Sequence, residues 1–156
     1  MDKFNELEMI NKNLFDDNPN IIAHGCNCMG KMGSGFAKYV RDLYPECYEK
    51  YSYFVSTFDD DYKLLGQHIT YKKDNLIIGN LFTQYDYGYD GNVRIVYTAL
   101  RTSLERFIID NNIKENSIIS IPKIGAGLAG GDWNIISSIL IDLQNIFRIK
   151  FHVYYF

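Results

Sequence analysis

The sequence predicts an α/β domain in which a mainly parallel sheet is covered on both faces. Three observations carry that prediction. Apolar strand-like runs alternate with helix-period stripes, glycine-rich segments follow two of the strands, and no repeat, proline-rich linker or long charge block divides the 156 residues. That length suits one domain over 1–156 with a single core, and 47% hydrophobic with 22% charged residues is the composition of a folded globular chain.

Residues 7–14 read as an early strand. Asn20-Ile21-Ile22-Ala23-His24, bounded by Pro19 and Gly25, is an almost unbroken apolar run that suits a strand buried on both faces. Residues 36–43 read as a helix that ends before Pro45, since the residue ahead of a proline avoids the helical region, and a second short helix runs through Tyr53. A strand pair follows at 67–71 and 76–82, turning at Lys73-Asp74-Asn75. Val93, Val96, Tyr97, Leu100, Leu104, Phe107 and Ile108 fall at helical spacing, with Arg94, Arg101 and Glu105 opposite, and predict an amphipathic helix from 93 onward. Residues 117–121 read as a strand; Trp133, Ile136, Ile139, Leu140 and Leu143 mark a last helix, and 150–155 a last strand. In such sheets ligands bind beyond the carboxyl ends of the strands.

Charge and composition exclude several classes of function. A net charge of −3 leaves no cation excess for a sequence-independent grip on nucleic acid. No apolar run approaches the roughly 20 residues that span a bilayer. An odd set of cysteines, Cys26, Cys28 and Cys47, and no secretory leader point to free thiols and a cytoplasmic protein. Cys26-x-Cys28 lacks a second ligand pair and His24, His68 and His152 are far apart, so neither a metal nor a cofactor is expected.

Chemistry is expected where glycine gathers. The first segment is His24-Gly25-Cys26-Asn27-Cys28-Met29-Gly30-Lys31-Met32-Gly33-Ser34-Gly35-Phe36-Ala37, which opens a helix. Glycines let successive amides turn toward one point and a helix start adds partial positive charge, which suits a phosphate or pyrophosphate. The alternative is a tight strand-to-helix connection with no ligand. No Gly-Lys-Ser/Thr closes a Walker loop, and the glycine spacing of a dinucleotide fold is not kept. The second segment, Pro122-Lys123-Ile124-Gly125-Ala126-Gly127-Leu128-Ala129-Gly130-Gly131-Asp132-Trp133, again offers unhindered amides and little side-chain chemistry.

Ile22-Ala23-His24-Gly25-Cys26-Asn27-Cys28, then Met32-Gly33-Ser34-Gly35-Phe36-Ala37 and the second segment, resemble macrodomains, above all the small ADP-ribose 1''-phosphate phosphatases of fungi and their bacterial and phage-encoded relatives. The likeness runs over nearly the whole chain, including Leu81-Phe82-Thr83 and Val153-Tyr154-Tyr155. It implies a three-layer α/β/α sandwich with a mixed sheet of about six strands, and a monomer whose partner is a small-molecule ADP-ribose derivative. By matching positions, Asn13 and Leu14 line the nucleoside end, and Gly25, Cys26 and Asn27 with Met32, Gly33, Ser34, Gly35, Phe36 and Ala37 form the first loop. Ile124, Gly125, Ala126, Gly127, Leu128, Ala129 and Gly130 form the phosphate loop. Asn27 reaches the distal ribose, and Asn20 stands where many macrodomains read adenine with an aspartate.

The resemblance also implies catalysis by His24, as proton donor, and by an acidic residue in the loop after Thr83, with Asp90 preferred over Asp86 to position water. The alternative for His24 is a buried, hydrogen-bonded imidazole. Asp132 lies where a helix begins and reads as an N-cap. Gln84 stands where macrodomains that strip ADP-ribose from glutamate or DNA bases carry a lysine, which disfavours that chemistry. The implied reaction is metal-independent hydrolysis of ADP-ribose 1''-phosphate. The alternatives are an ADP-ribose-binding module without turnover and a hydrolase of ADP-ribosyl or O-acetyl-ADP-ribose esters.

Overall fold

Six strands and four helices alternate along the chain in the computed structural model, which describes residues 3–87, 92–124 and 130–155. The elements are β1 (Glu8–Asn11), β2 (Ile21–Asn27), α1 (Gly35–Leu43), α2 (Pro45–Ser56), β3 (His68–Lys73), β4 (Leu76–Gln84), α3 (Tyr97–Asp110), β5 (Ile118–Pro122), α4 (Trp133–Phe147) and β6 (Lys150–Tyr155). The sheet order is β1-β6-β5-β2-β4-β3, with β3 antiparallel and the other pairs parallel. The fold is the expected mixed α/β/α sandwich.

Alternation along β2 assigns the two faces. Ala23 packs with Leu100, Leu104 and Phe107 of α3 and Ile136, Leu140 and Leu143 of α4. Ile22 points the other way, onto Val40 of α1 and Cys47 of α2, and Cys26 joins Tyr51 and Phe82 on that same side. Helix and sheet approach closely at Gly79, where a Cβ would lie 2.6 Å from the Phe107 ring. On the edge strand β3, Lys50 donates to the Thr70 carbonyl, so an ammonium group blunts an edge that could otherwise pair with another chain. No helix among the described residues is long and apolar enough to cross a membrane.

Three of the element boundaries that differ from the sequence reading bear on the site. The early strand stops at Asn11, and Leu14–Asp17 form a 3-10 turn capped by the Asn13 side chain. β2 runs on through Gly25, Cys26 and Asn27, which pair with Leu81, Phe82 and Gln84, so these residues are strand and the loop begins at Cys28. The helix expected from 93 starts at Tyr97: the Val96 N–H is spent on the Thr83 carbonyl at 2.8 Å and Ile95 bridges Gln84, so the end of β4 holds this stretch extended.

The chain leaves β2 toward β4 and β3, whereas β5 continues through α4 to β6 on the other side. Between β2 and β5 the topology therefore switches direction, and a crevice opens at the carboxyl edge of the sheet. Both glycine-rich segments leave the sheet along that edge.

Candidate functional site

A cleft of about 470 Å3 opens at the carboxyl ends of β1, β5 and β6, beside the first turn of α1. Its wall is aromatic. Phe15 and Phe36 stack with centroids 5.4 Å apart and planes 6° from parallel, and Tyr39, Tyr154 and Pro122 extend the apolar surface. Asn13 shapes one corner: its Oδ1 accepts the Phe15 N–H at 3.0 Å, fixing the turn that aims Phe15. Leu14 packs beneath, fully buried. The Tyr154 hydroxyl donates to Asp17, which also pairs with Lys12, and these two hydrogen bonds hold the Asp17 carboxyl below its ordinary range. α1 begins with Ser34 as a cap that makes no side-chain hydrogen bond, so its first amides are open to a ligand. Gly35 there has φ of 59°, which suits glycine.

The rest of the first segment lies deeper. Met32 is buried with Cys28 and Tyr51, Ala37 packs at the edge of the same cluster, and Gly33 faces open space. Asn27 organises its own loop. Its Oδ1 accepts from Met29 N–H at 2.9 Å and from the Tyr51 hydroxyl at 3.0 Å, and its Nδ2 donates to the Lys31 carbonyl at 2.8 Å. A side chain at Gly25 would meet Thr83 Oγ1 at 2.7 Å. Ile124 is buried at the start of the second segment and Gly130, with φ of 68°, lies against the Asn92 carbonyl near its end. Gly125, Ala126, Gly127, Leu128 and Ala129 lie outside the described residues, as does Asp90.

Asn20 is not brought to the cleft. It precedes β2, and so lies at the amino end of the strand, exposed, with its carbonyl accepting from Ile77 N–H. Seven strand residues of about 3.3 Å each separate it from the carboxyl edge. The asparagine that lines the cleft is Asn13. Asp86 pairs with Arg94 at 3.1 Å, and Asp132 caps α4 by accepting Asn134 N–H at 2.8 Å.

His24 turns away from solvent. Its ring is 1% exposed, edge-on to Phe36, with Nε2 2.6 Å from Asn80 Oδ1. Asn80 Nδ2 donates to the Ile69 carbonyl at 3.1 Å, so the Asn80 oxygen faces the imidazole and the proton of His24 sits on Nε2. Burial lowers the His24 pKa to about 4, against the opposing pull of Asn80, and the ring is neutral at physiological pH. Cys47 completes the layer, with its thiol in contact with Asn80. Burial also raises all three thiols, Cys28 to about 12 and Cys47 to about 11, which leaves them poor nucleophiles. Among the described residues, no group of three or more His, Cys, Asp or Glu could hold a metal ion.

Sequence reasoning missed Phe15 and Asn80. Asn80 had a signal, because an amide inside the apolar run Leu76-Ile77-Ile78-Gly79-Asn80-Leu81-Phe82 needs a buried partner.

No protein-family model matches the sequence. An ADP-ribose 1''-phosphate phosphatase of Candida albicans is 30% identical over 141 residues, covering 86% of each chain. The chain belongs to the macrodomain family. A second relative of this macrodomain, an uncharacterized 17.5 kDa protein of phage T4, is 34% identical over 81% of each chain. Among solved structures, a protein of unknown function from Bacteroides thetaiotaomicron superimposes with a TM-score of 0.79 at 25% identity, covering 96% of this chain and 97% of the other. The macrodomain of Mycobacterium tuberculosis DarG gives 0.75 at 20% identity, covering 96% and 98%. Thermosipho africanus DarTG in complex with ADP-ribose gives 0.75 at 19%, covering 97% of this chain and 42% of that one.

Proposed function

We propose that this macrodomain binds ADP-ribose, with the nucleoside against Phe15 and Phe36 and the distal ribose toward the carboxyl ends of β2 and β4, and that it releases phosphate from ADP-ribose 1''-phosphate. The observation that carries the reading is the alignment, along one edge of the sheet, of the aromatic cleft, the open start of α1 and the two glycine-rich segments. Amides of the second segment, including Gly127, would meet the diphosphate. In the hydrolysis, water oxygen bonds to phosphorus as the bond from phosphorus to the sugar oxygen breaks, and the proton given up by the water passes by way of Asp90 and solvent to the departing sugar oxygen. Asp90 is the carboxylate assigned to the water.

His24, sequestered and neutral, is assigned a positioning role. It bonds Asn80 and, from the middle of β2, supports the Phe36 ring edge-on. Its burial favours a second reading, ADP-ribose binding without turnover, in which no proton donor is required.

Calorimetry with ADP-ribose and phosphate release from ADP-ribose 1''-phosphate, with and without EDTA, test the proposal. Binding with chelator-insensitive turnover is expected, and Gly127→Glu, which sets a carboxylate against the diphosphate, abolishes both. Binding without phosphate release leaves the second reading. No binding at millimolar ADP-ribose removes both.

A further inference from the structure

A second group of reactive side chains gathers on the opposite edge of the sheet. β3 is the outermost strand there, with β4 and β2 between it and the strands at whose ends the cleft opens. His68 and Thr70 stand two residues apart on β3 and so share one face, where the end of α3 meets them. The Asp110 carboxylate lies 2.7 Å from His68 Nε2 and can only accept, so the neutral ring carries its proton on Nε2 and keeps a lone pair on Nδ1. Nδ1 lies 3.3 Å from Thr70 Oγ1. Asn111 Nδ2 donates to that same oxygen at 3.0 Å and to the Phe107 carbonyl at 2.9 Å, which leaves the Thr70 hydroxyl to spend its own proton on Nδ1. The Phe107 ring meets His68 edge-on at 5.8 Å and steadies its plane. Beside this chain of bonds opens a hollow of about 680 Å3, lined also by Lys50 and Lys72 and sharing no lining residue with the cleft. Lys50 Nζ donates to the Thr70 carbonyl at 2.6 Å, so a cation is held against the residue that carries the hydroxyl.

We propose that Thr70, His68 and Asp110 form a second hydrolytic site, one that cleaves short carboxylic esters. The order of bonds is that of a nucleophile, its base and the group that orients the base, an arrangement recognised by geometry and not by sequence position. Thr70 Oγ1 bonds to the ester carbonyl carbon while its proton passes to His68 Nδ1, and the carbonyl oxygen takes up negative charge in a hollow flanked by the Lys50 and Lys72 ammonium groups. The bond to the alcohol oxygen then breaks, and that oxygen takes the proton from Nδ1. Water next attacks the acyl group on Thr70 and gives a proton to Nδ1, and the acid departs as Thr70 Oγ1 recovers that proton. Ester and water thus become acid and alcohol with no further reactant. Asp110 acts through the ring as a positioning residue, facing the imidazolium as it forms.

Release of nitrophenolate from 4-nitrophenyl acetate by the whole chain tests the proposal without recourse to ADP-ribose. Thr70→Val and His68→Gln, each with its unfolding temperature checked against wild type, are expected to lower the rate by about tenfold or more, the share of general-base help that stays visible above the reaction of surface lysines with this ester. Thr70→Ser keeps the hydroxyl and is expected to keep most of the rate. Asp110→Asn keeps an acceptor for Nε2–H but loses the charge, and is expected to lower kcat with KM unchanged. A fall of less than about tenfold in a folded Thr70→Val or His68→Gln overturns the proposal. So does a serine variant as slow as the valine one, which would make Thr70 a packing residue, or an Asp110→Asn variant in which KM alone moves.

Discussion

Phe36 divides two regions that lie a few ångströms apart and rest on different physics. Toward solvent it stacks on Phe15 and walls an open cleft whose polar groups can exchange partners with water. Toward the sheet its ring meets His24, whose hydrogen bond to Asn80 is sealed in the core with Cys47. On the open side a lost contact is replaced by water; on the closed side it leaves a dry polar atom. Recognition can therefore vary on the outer side of Phe36 while the inner side stays fixed, and the comparison can be tested from both directions.

The largest effect is expected on the closed side. Asn80→Leu keeps the branched shape but leaves the buried His24 Nε2–H without its acceptor, and should cost about 3 kcal/mol in urea unfolding. Phe15→Leu, on the open side, should cost about 1 kcal/mol. Equal losses would mean that the two regions are not energetically distinct.

Acid should weaken the same layer. Unfolded His24 titrates at 6.5 and folded His24 at about 4, so between those values the unfolded chain binds more protons and folding stability falls as pH falls. The contribution is complete above pH 6.5 and lost progressively toward pH 4, in all about 3 kcal/mol. His152, also lowered by burial, tilts the curve the same way, so the diagnostic quantity is the difference between wild type and His24→Gln. Parallel pH curves for the two proteins would show that His24 is not buried in its neutral form.

How much of this was legible in the sequence differs between the two regions. Helical and strand periods located every main element, and glycine content marked both segments at the carboxyl edge. Glycine also misled, because Gly25 looked like the start of a loop when its lack of a Cβ in fact makes room for Thr83 beside a continuing strand. Val93 fell in phase with the α3 stripe although Val96 and Ile95 are bonded to the end of β4. Asn20 and Asn13 cannot be told apart by residue type; only the strand direction sends one to the amino end and the other to the cleft. The His24 layer needs a partner 56 residues away, a pairing that no local pattern encodes.

Phe36 itself should report on both regions. Phe36→Leu removes the stack with Phe15 and the edge contact with His24. ADP-ribose affinity is expected to fall by about tenfold, the scale of one aromatic contact in a binding site, with a stability loss of about 1 kcal/mol. Calorimetry and unfolding on one preparation separate the two. A large stability loss with unchanged affinity would place Phe36 on the closed side alone.

The smallest effect belongs to the far end of the second glycine segment, where Asp132 holds the start of α4. Its carboxylate accepts Asn134 N–H at 2.8 Å, and its own N–H donates to the Tyr97 hydroxyl at 2.9 Å, so the side chain caps one helix while the backbone is tied to another. Asp132→Ala removes the cap and keeps the backbone tie, and should cost about 1 kcal/mol. Because the carboxylate is already committed to the helix start, ADP-ribose affinity and phosphate release should stay within about twofold of wild type, and Asp132→Asn, which keeps an acceptor, should recover most of the lost stability. A drop in turnover that exceeds the stability loss, and that Asp132→Asn does not repair, would move the acidic catalytic group from the Asp90 loop to the head of α4.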